Sequence, residues 1–122
     1  MMIKTILIVD DSKTELMFLT DILVKSGFSV KTAENAEDAL RQLAEDKPEL
    51  ILMDVVMPEM NGFQATRKIT RDKATAHIPI IMISTKNQET DRVWGKRQGG
   101  KEYITKPIDE SGLVQIIRKV ME

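Results

Sequence analysis

Three short runs in this chain are apolar almost without interruption: ILIV at residues 6–9, LILM at 50–53 and IPIIMI at 78–83. A strand with one wet face alternates apolar and polar residues, so a run that does not alternate needs neighbours on both faces. Four to six residues are too few for a buried helix, and the β-branched content favours strands. The chain must therefore build a sheet that is covered on both sides.

The segments between the runs supply the cover. Leu16, Leu19, Ile22 and Leu23 recur at helical spacing after Ser12-Lys13-Thr14-Glu15, a capping-box pattern, and Gly27 is placed to stop that helix. Phe28 to Thr32 alternates like a strand near a sheet edge. Asn35 is placed to cap a second helix carrying Ala36, Ala39, Leu40, Leu43 and Ala44, and Pro48 closes the unit. A third helix, Phe63 to Arg71, leaves the Asn61-Gly62 turn, and a polar fourth, Asn87 to Gln98, stops at Gly99-Gly100. Glu102 to Thr105 is a short fifth strand, and Leu113, Ile116, Ile117 and Val120 define a last amphipathic helix.

Five successive strand–helix units predict an α/β doubly wound parallel sheet with helices on both faces and right-handed crossovers. The first, third and fourth strands, being the most apolar, are expected at its centre. No repeat, low-complexity tract or linker interrupts the 122 residues, so one domain over 1–122 with no output domain is expected. A net charge of −1 with 30% charged residues gives no bias toward nucleic acid or anionic membrane. Cysteine is absent, which excludes a disulfide scaffold and thiolate metal sites. No apolar run approaches the roughly 18–20 residues of a membrane span, and MMIKTILIVDDSK reads as a strand and not as a signal peptide. A cytoplasmic location is the expectation.

Folds of this kind bind ligands outside the carboxyl ends of their strands. The first strand ends in Asp10-Asp11, the third in Asp54 and the fourth in Ser84-Thr85, and the fifth is followed by Lys106-Pro107. One acid at a strand end is most often a cap or a solvated turn; polar chemistry at four ends on one edge is not so easily dismissed. Three crowded carboxylates cannot all stay ionised unaided. A divalent cation relieves them, and an all-oxygen set favours Mg2+, with Mn2+ as substitute. A carboxylate beside such a cation can act as a nucleophile and form an aspartyl-phosphate, with Ser84 donating to a phosphoryl oxygen and Lys106 placing a charge on another.

The motifs Val9-Asp10-Asp11-Ser12, Asp54-Val-Val-Met-Pro-Glu-Met-Asn-Gly62, Ser84-Thr85 and Tyr103-Ile-Thr-Lys-Pro107 resemble, in order and over essentially the whole chain, the response-regulator receiver family, the CheY-like domains of two-component signalling. The resemblance implies the strand order 2-1-3-4-5 and a cis Lys106–Pro107 bond. It implies Asp54 as the phosphoacceptor and Asp11, Asp54 and the Val56 carbonyl as Mg2+ ligands, with Asp10 in the acidic pocket. Lys106 matches the phosphate-contacting lysine, Ser84 the switch hydroxyl, and Tyr103 the aromatic residue that follows it. Val56 and Lys86 occupy the two positions that tune dephosphorylation, and Val56, with no side chain to orient water, implies slow self-hydrolysis. Thr85 stands where the family often has Ala, and its bulk is expected to restrict the inward rotamer of Tyr103. Gly99-Gly100 replaces a more usual Gly-Ala.

The implied function is a stand-alone response regulator that catalyses its own phosphorylation and dephosphorylation rather than turning over a substrate. Its implied donor is a histidine kinase or phosphotransfer domain. Its target would dock on the face built by the fourth helix, fifth strand and fifth helix, the protein being a monomer or a dimer formed on phosphorylation. The stretches Asp54 to Pro58 and Lys106 to Asp109 resemble the receivers of type IV pilus twitching more than those of flagellar chemotaxis. An aspartyl-phosphate phosphatase would carry a second acid where Val56 stands. A nucleotide P-loop is missing, and a flavin carrier would need a hydroxyl- and glycine-rich loop where Asp10-Asp11-Ser12-Lys13 stands. A phosphorylation-independent binding module would not need an intact site. Trp94 is either partly core-packed or a partner anchor on the signalling face. His77 is expected in solvent, and Lys68, Arg71 and Lys73 read as a solvated helix end.

Overall fold

A computed structural model describes residues 3–122, and in it the three uninterrupted apolar runs become the inner strands of one sheet. In chain order the elements are β1 (Thr5–Val9), α1 (Lys13–Lys25), β2 (Ser29–Ala33), α2 (Ala36–Glu45), β3 (Leu50–Asp54), α3 (Gly62–Arg71), β4 (Ile80–Ser84), α4 (Glu89–Arg97), β5 (Glu102–Thr105) and α5 (Glu110–Met121). The sheet order is β2-β1-β3-β4-β5, with every pair parallel. Period-two alternation divides the strands between two cores. Leu7, Val9, Ile51, Met53, Ile80 and Met82 pack with Ala39 and Leu43 of α2 and Phe63 and Ile69 of α3. Ile6, Ile8, Leu50, Leu52, Ile81 and Ile83 pack with Leu16, Leu19 and Leu23 of α1 and Leu113 and Ile117 of α5. Among the described residues no helix is long and apolar enough to cross a membrane.

The register levels the strand ends that carry chemistry. Val9 lies beside Met53, Asp54 beside Ile83, and Ser84 beside Thr105. Asp10, Asp54, Ser84 and Lys106 therefore leave the sheet at one edge, and the Lys106–Pro107 bond is cis.

Local details depart from the sequence reading for definable reasons. Ser12 Oγ does accept the Glu15 N–H at 3.2 Å, but the return arm of the capping box is missing. Asp10 Oδ1 takes the Ser12 N–H instead, at 2.9 Å. A full capping box forms where only a turn was read: Asn61 and Gln64 exchange side-chain–backbone bonds, both at 2.9 Å, at the start of α3. Ala44 lies on the exposed side of α2, whose buried stripe is Ala36, Ala39 and Leu43. β4 begins at Ile80 because the Ile78 N–H is spent in a turn on the Thr75 carbonyl and Pro79 has none to give to a ladder. α4 begins at Glu89, two residues late, with Asp91 Oδ2 accepting the Gln88 N–H at 3.2 Å.

The join between β3 and α3 is the tightest. The Gly62 N–H donates to the Val55 carbonyl at 2.9 Å, and a Cβ on Gly62 would stand 2.1 Å from the Asp54 carbonyl oxygen. The neighbour is backbone and cannot swing away. Gly62→Ala is expected to destabilise the fold by about 2 kcal/mol or more, measured as a lower urea midpoint, whereas Gly27→Ala, at φ 94 with no atom within 4 Å of the added Cβ, should cost less.

Candidate functional site

Asp10 and Asp54 are 2% and 6% exposed, while Asp11 beside them is exposed. One carboxylate oxygen from each of the three lies within 4.8 Å of the others. Lys106 Nζ reaches Asp10 Oδ2 at 3.3 Å and Asp54 Oδ1 at 3.4 Å. Asp10 thus has both oxygens engaged, Oδ1 by the Ser12 amide and Oδ2 by the ammonium. Asp54 has one engaged, and among the described residues no donor reaches its Oδ2.

Charge within this cluster does not balance. The Asp54 carboxyl is pushed up to about 6, first by burial and next by the Asp10 carboxylate, with Lys106 pulling the other way and losing. For the Lys106 ammonium, burial acts downward, but the Asp54 and Asp10 carboxylates together outweigh it and raise the group. Glu15, read from sequence only as a capping residue, adds its charge to those acting on Lys106. An oxygen-only set of this compactness, short of positive charge and without His or Cys, fits a hard divalent cation.

Around the cluster the residues expected to form a switch are linked through backbone. Ser84 is fully buried, and its Oγ accepts the Lys86 N–H at 3.1 Å. The Lys86 carbonyl accepts the Tyr103 hydroxyl at 2.8 Å. Tyr103 is 8% exposed and packs in the core that holds Met82 and Phe63, so the restriction expected from Thr85 does not prevent its inward packing. Thr85 is exposed. Burial pushes the Tyr103 phenol up.

The two positions expected to tune dephosphorylation differ. Val56 is 56% exposed and carries no polar side-chain atom, and no backbone N–H among the described residues donates to its carbonyl, whereas Gly62 takes that of Val55. Lys86 directs its ammonium to Asp91 at 3.9 Å rather than to the acids. His77 is exposed, as expected. Trp94 is 46% exposed. It lies about 200° around α4 from Arg92, whose guanidinium reaches β5, so the tryptophan sits on the opposite flank of the helix. Sequence reasoning missed Arg92 because an arginine in a polar helix carries no mark of its target. It missed the closeness of Gly62, although an Asn-Gly pair before a helix was a usable signal.

Residues 6–118 match the family model described as the response regulator receiver domain. The chain is 53% identical over 116 residues to Protein PilH of Pseudomonas aeruginosa, covering 95% of this chain and 96% of that one. It is 37% identical over 115 residues to the response regulator PleD of Caulobacter vibrioides, but spans only 25% of that protein's length. Among solved structures, the chemotaxis protein CheY4 of Vibrio cholerae superposes with a TM-score of 0.92 at 26% identity, covering 98% of this chain and 99% of that one.

The raised Asp54 carboxyl carries a stability consequence whose sign is fixed. The folded chain holds this proton to higher pH than the unfolded chain, from the ordinary 3.8 up to about 6. Stability is therefore lost as pH rises through that window, and the cost is fully in force above it. In chelator-treated buffer, Asp54→Asn should raise stability at about pH 7.5 by on the order of 1–3 kcal/mol, and the gain should fade toward about pH 4. Denaturant melts at both pH values check this; an Asn variant no more stable than wild type at the higher pH would contradict it.

Proposed function

The chain belongs to the response-regulator receiver family, and on that premise we propose that it is a stand-alone phosphoacceptor of a two-component relay, with Asp54 as the residue modified. One observation carries the reading: Asp54 closes a rigid central strand, beside a lysine and two further acids, with one carboxylate oxygen left unengaged.

In the proposed reaction a lone pair on Asp54 attacks the phosphorus of a phosphohistidine on the donor protein. The P–N bond breaks, the imidazole leaves with a proton, and an acyl phosphate is left on Asp54. Hydrolysis adds water across that bond, returning the carboxylate and inorganic phosphate. Asp10, Asp11, Asp54 and the Val56 carbonyl are the residues that would hold Mg2+ (or Mn2+), which when bound neutralises charge on the transferring group. Lys106 moves from sharing the carboxylates to contacting the phosphoryl oxygens, and Ser84 turns its hydroxyl toward them, releasing the Lys86 N–H. Tyr103 is tied to the same loop through the Lys86 carbonyl, so the change reaches the face of α4, β5 and α5 as a shift between two packings.

The output is then a change of protein partner in the cytoplasm, with no role in binding nucleic acid or membrane. The likeness to Protein PilH across nearly the full length of both chains supports a free-standing receiver, and with the Asp54–Pro58 and Lys106–Asp109 stretches it supports a place in type IV pilus twitching. The exposed, non-polar Val56 supports a long-lived phosphorylated form.

Incubation with Mg2+ and acetyl phosphate or phosphoramidate should add one phosphate to the intact mass of the wild type and none to Asp54→Asn. The wild-type adduct should decay slowly, and Val56→Asn, which offers water a hydrogen-bonding side chain, should decay several-fold faster. An undiminished adduct on Asp54→Asn would sink the assignment; an unchanged lifetime for Val56→Asn would remove Val56 from the hydrolysis argument.

A further inference from the structure

Tyr103 is held inward from three sides, and two of the three holds come from α4. Its hydroxyl donates to the Lys86 carbonyl at 2.8 Å, just before the helix. Arg92 donates through Nη1 to the Tyr103 carbonyl at 3.1 Å while its guanidinium carbon stands 5.5 Å from the ring centroid. Gly95, one turn on, leaves the space beside the ring: a Cβ there would come within 3.1 Å of Tyr103 Cδ2, 3.1 Å of Met82 Sδ and 3.6 Å of Phe63 Cε1. A glycine inside a nine-residue helix weakens that helix. The ring packed against it is what the missing side chain makes possible. Arg92 is likewise an exposed residue that a solvated helix face does not need, yet one side chain engages both the backbone and the ring of the same tyrosine.

We propose that Arg92 is a positioning residue that holds Tyr103 in its inward packing, so that the poise of the switch is set from α4 as well as from Ser84. The inference rests on the phosphoacceptor reading for its link to phosphorylation, though not for the grip itself. Any ligand that favours the inward packing binds more tightly when that packing is already populated, and the coupling is reciprocal. Arg92 suits this role better than lysine would, because its planar fork can donate to a carbonyl while its face lies over a ring. Removing it takes away no donor or acceptor of the Ser84–Lys86–Tyr103 chain, but lowers the inward population in which that chain is made.

Tyr103 is the only tyrosine in the chain, so 3-fluorotyrosine labelling gives one fluorine resonance that reports on this ring alone. In the wild type that resonance should resist broadening by a soluble paramagnetic reagent. In Arg92→Ala it should shift and broaden, and Arg92→Lys, which keeps the charge but not the fork, should fall between. Affinity for beryllium fluoride with Mg2+ should drop about two- to fivefold in Arg92→Ala, the range expected of one exposed cation–π contact. In a Tyr103→Ala background the same substitution should have no further effect. A resonance in Arg92→Ala as protected as in wild type overturns the grip, and an equal affinity loss without the tyrosine ring overturns its role in positioning that ring. If wild type binds no beryllium fluoride while the fluorine signals behave as expected, the phosphoacceptor reading fails and takes the coupling with it, and the grip stands.

Discussion

Lys106 stands between two buried carboxylates, and the imbalance of charge it leaves behind governs what the rest of the site can be. One ammonium cannot neutralise Asp10 and Asp54 together, and Asp11 adds a third negative group at the rim. The deficit appears as the raised carboxyl of Asp54. A fold that kept this arrangement for stability alone would do better with apolar residues, since buried ion clusters recover little of their desolvation cost. The arrangement makes physical sense as a deficit of positive charge, one that would suit a divalent cation and, beside it, an anionic phosphoryl group.

The scaffold's contribution is to hold mutually repelling groups still. Asp54 is the last residue of a strand buried along its whole length, and β1 and β4 flank it in register. Gly62 seats α3 so close to the Asp54 carbonyl that the loop between them has little room to relax. Rigidity on this side contrasts with the β4–α4 side, where Ser84, Lys86 and Tyr103 are joined by single hydrogen bonds that can be exchanged. On the phosphoacceptor reading, chemistry would be anchored at one strand end and movement allowed at the next.

Much of this was legible in the sequence because burial on both faces leaves an unmistakable mark. ILIV, LILM and the IIMI portion of the third run fell where their composition required, and the polar residues after them converged as the sheet's parallel direction demands. What escaped were the contacts that depend on distance in space. Ser12-Lys13-Thr14-Glu15 spells a capping box, yet Asp10, two residues earlier, competes for the same amide and wins. Thr85 suggested a crowded tyrosine, but crowding depends on distance in space, and the room beside the ring is left by Gly95 instead. Trp94 was open between partial core packing and an anchor on the signalling face; it is half exposed, and helical geometry turns it away from Arg92.

Asp10 and Asp54 are the same side chain, at equivalent strand ends, similarly buried and sharing one lysine. Their hydrogen bonds make them chemically inequivalent. Asp10 spends one oxygen on the first turn of α1 and the other on Lys106. Asp54 keeps Oδ2 uncommitted, and since Thr66 Oγ1 is the one fully buried side-chain oxygen or nitrogen left without a partner among the described residues, that oxygen opens toward solvent. The amide of Ser12 therefore works as a protecting group in the synthetic chemist's sense. It masks an oxygen on one of two like carboxylates, and on the phosphoacceptor reading the choice of Asp54 over Asp10 would follow from that single backbone N–H.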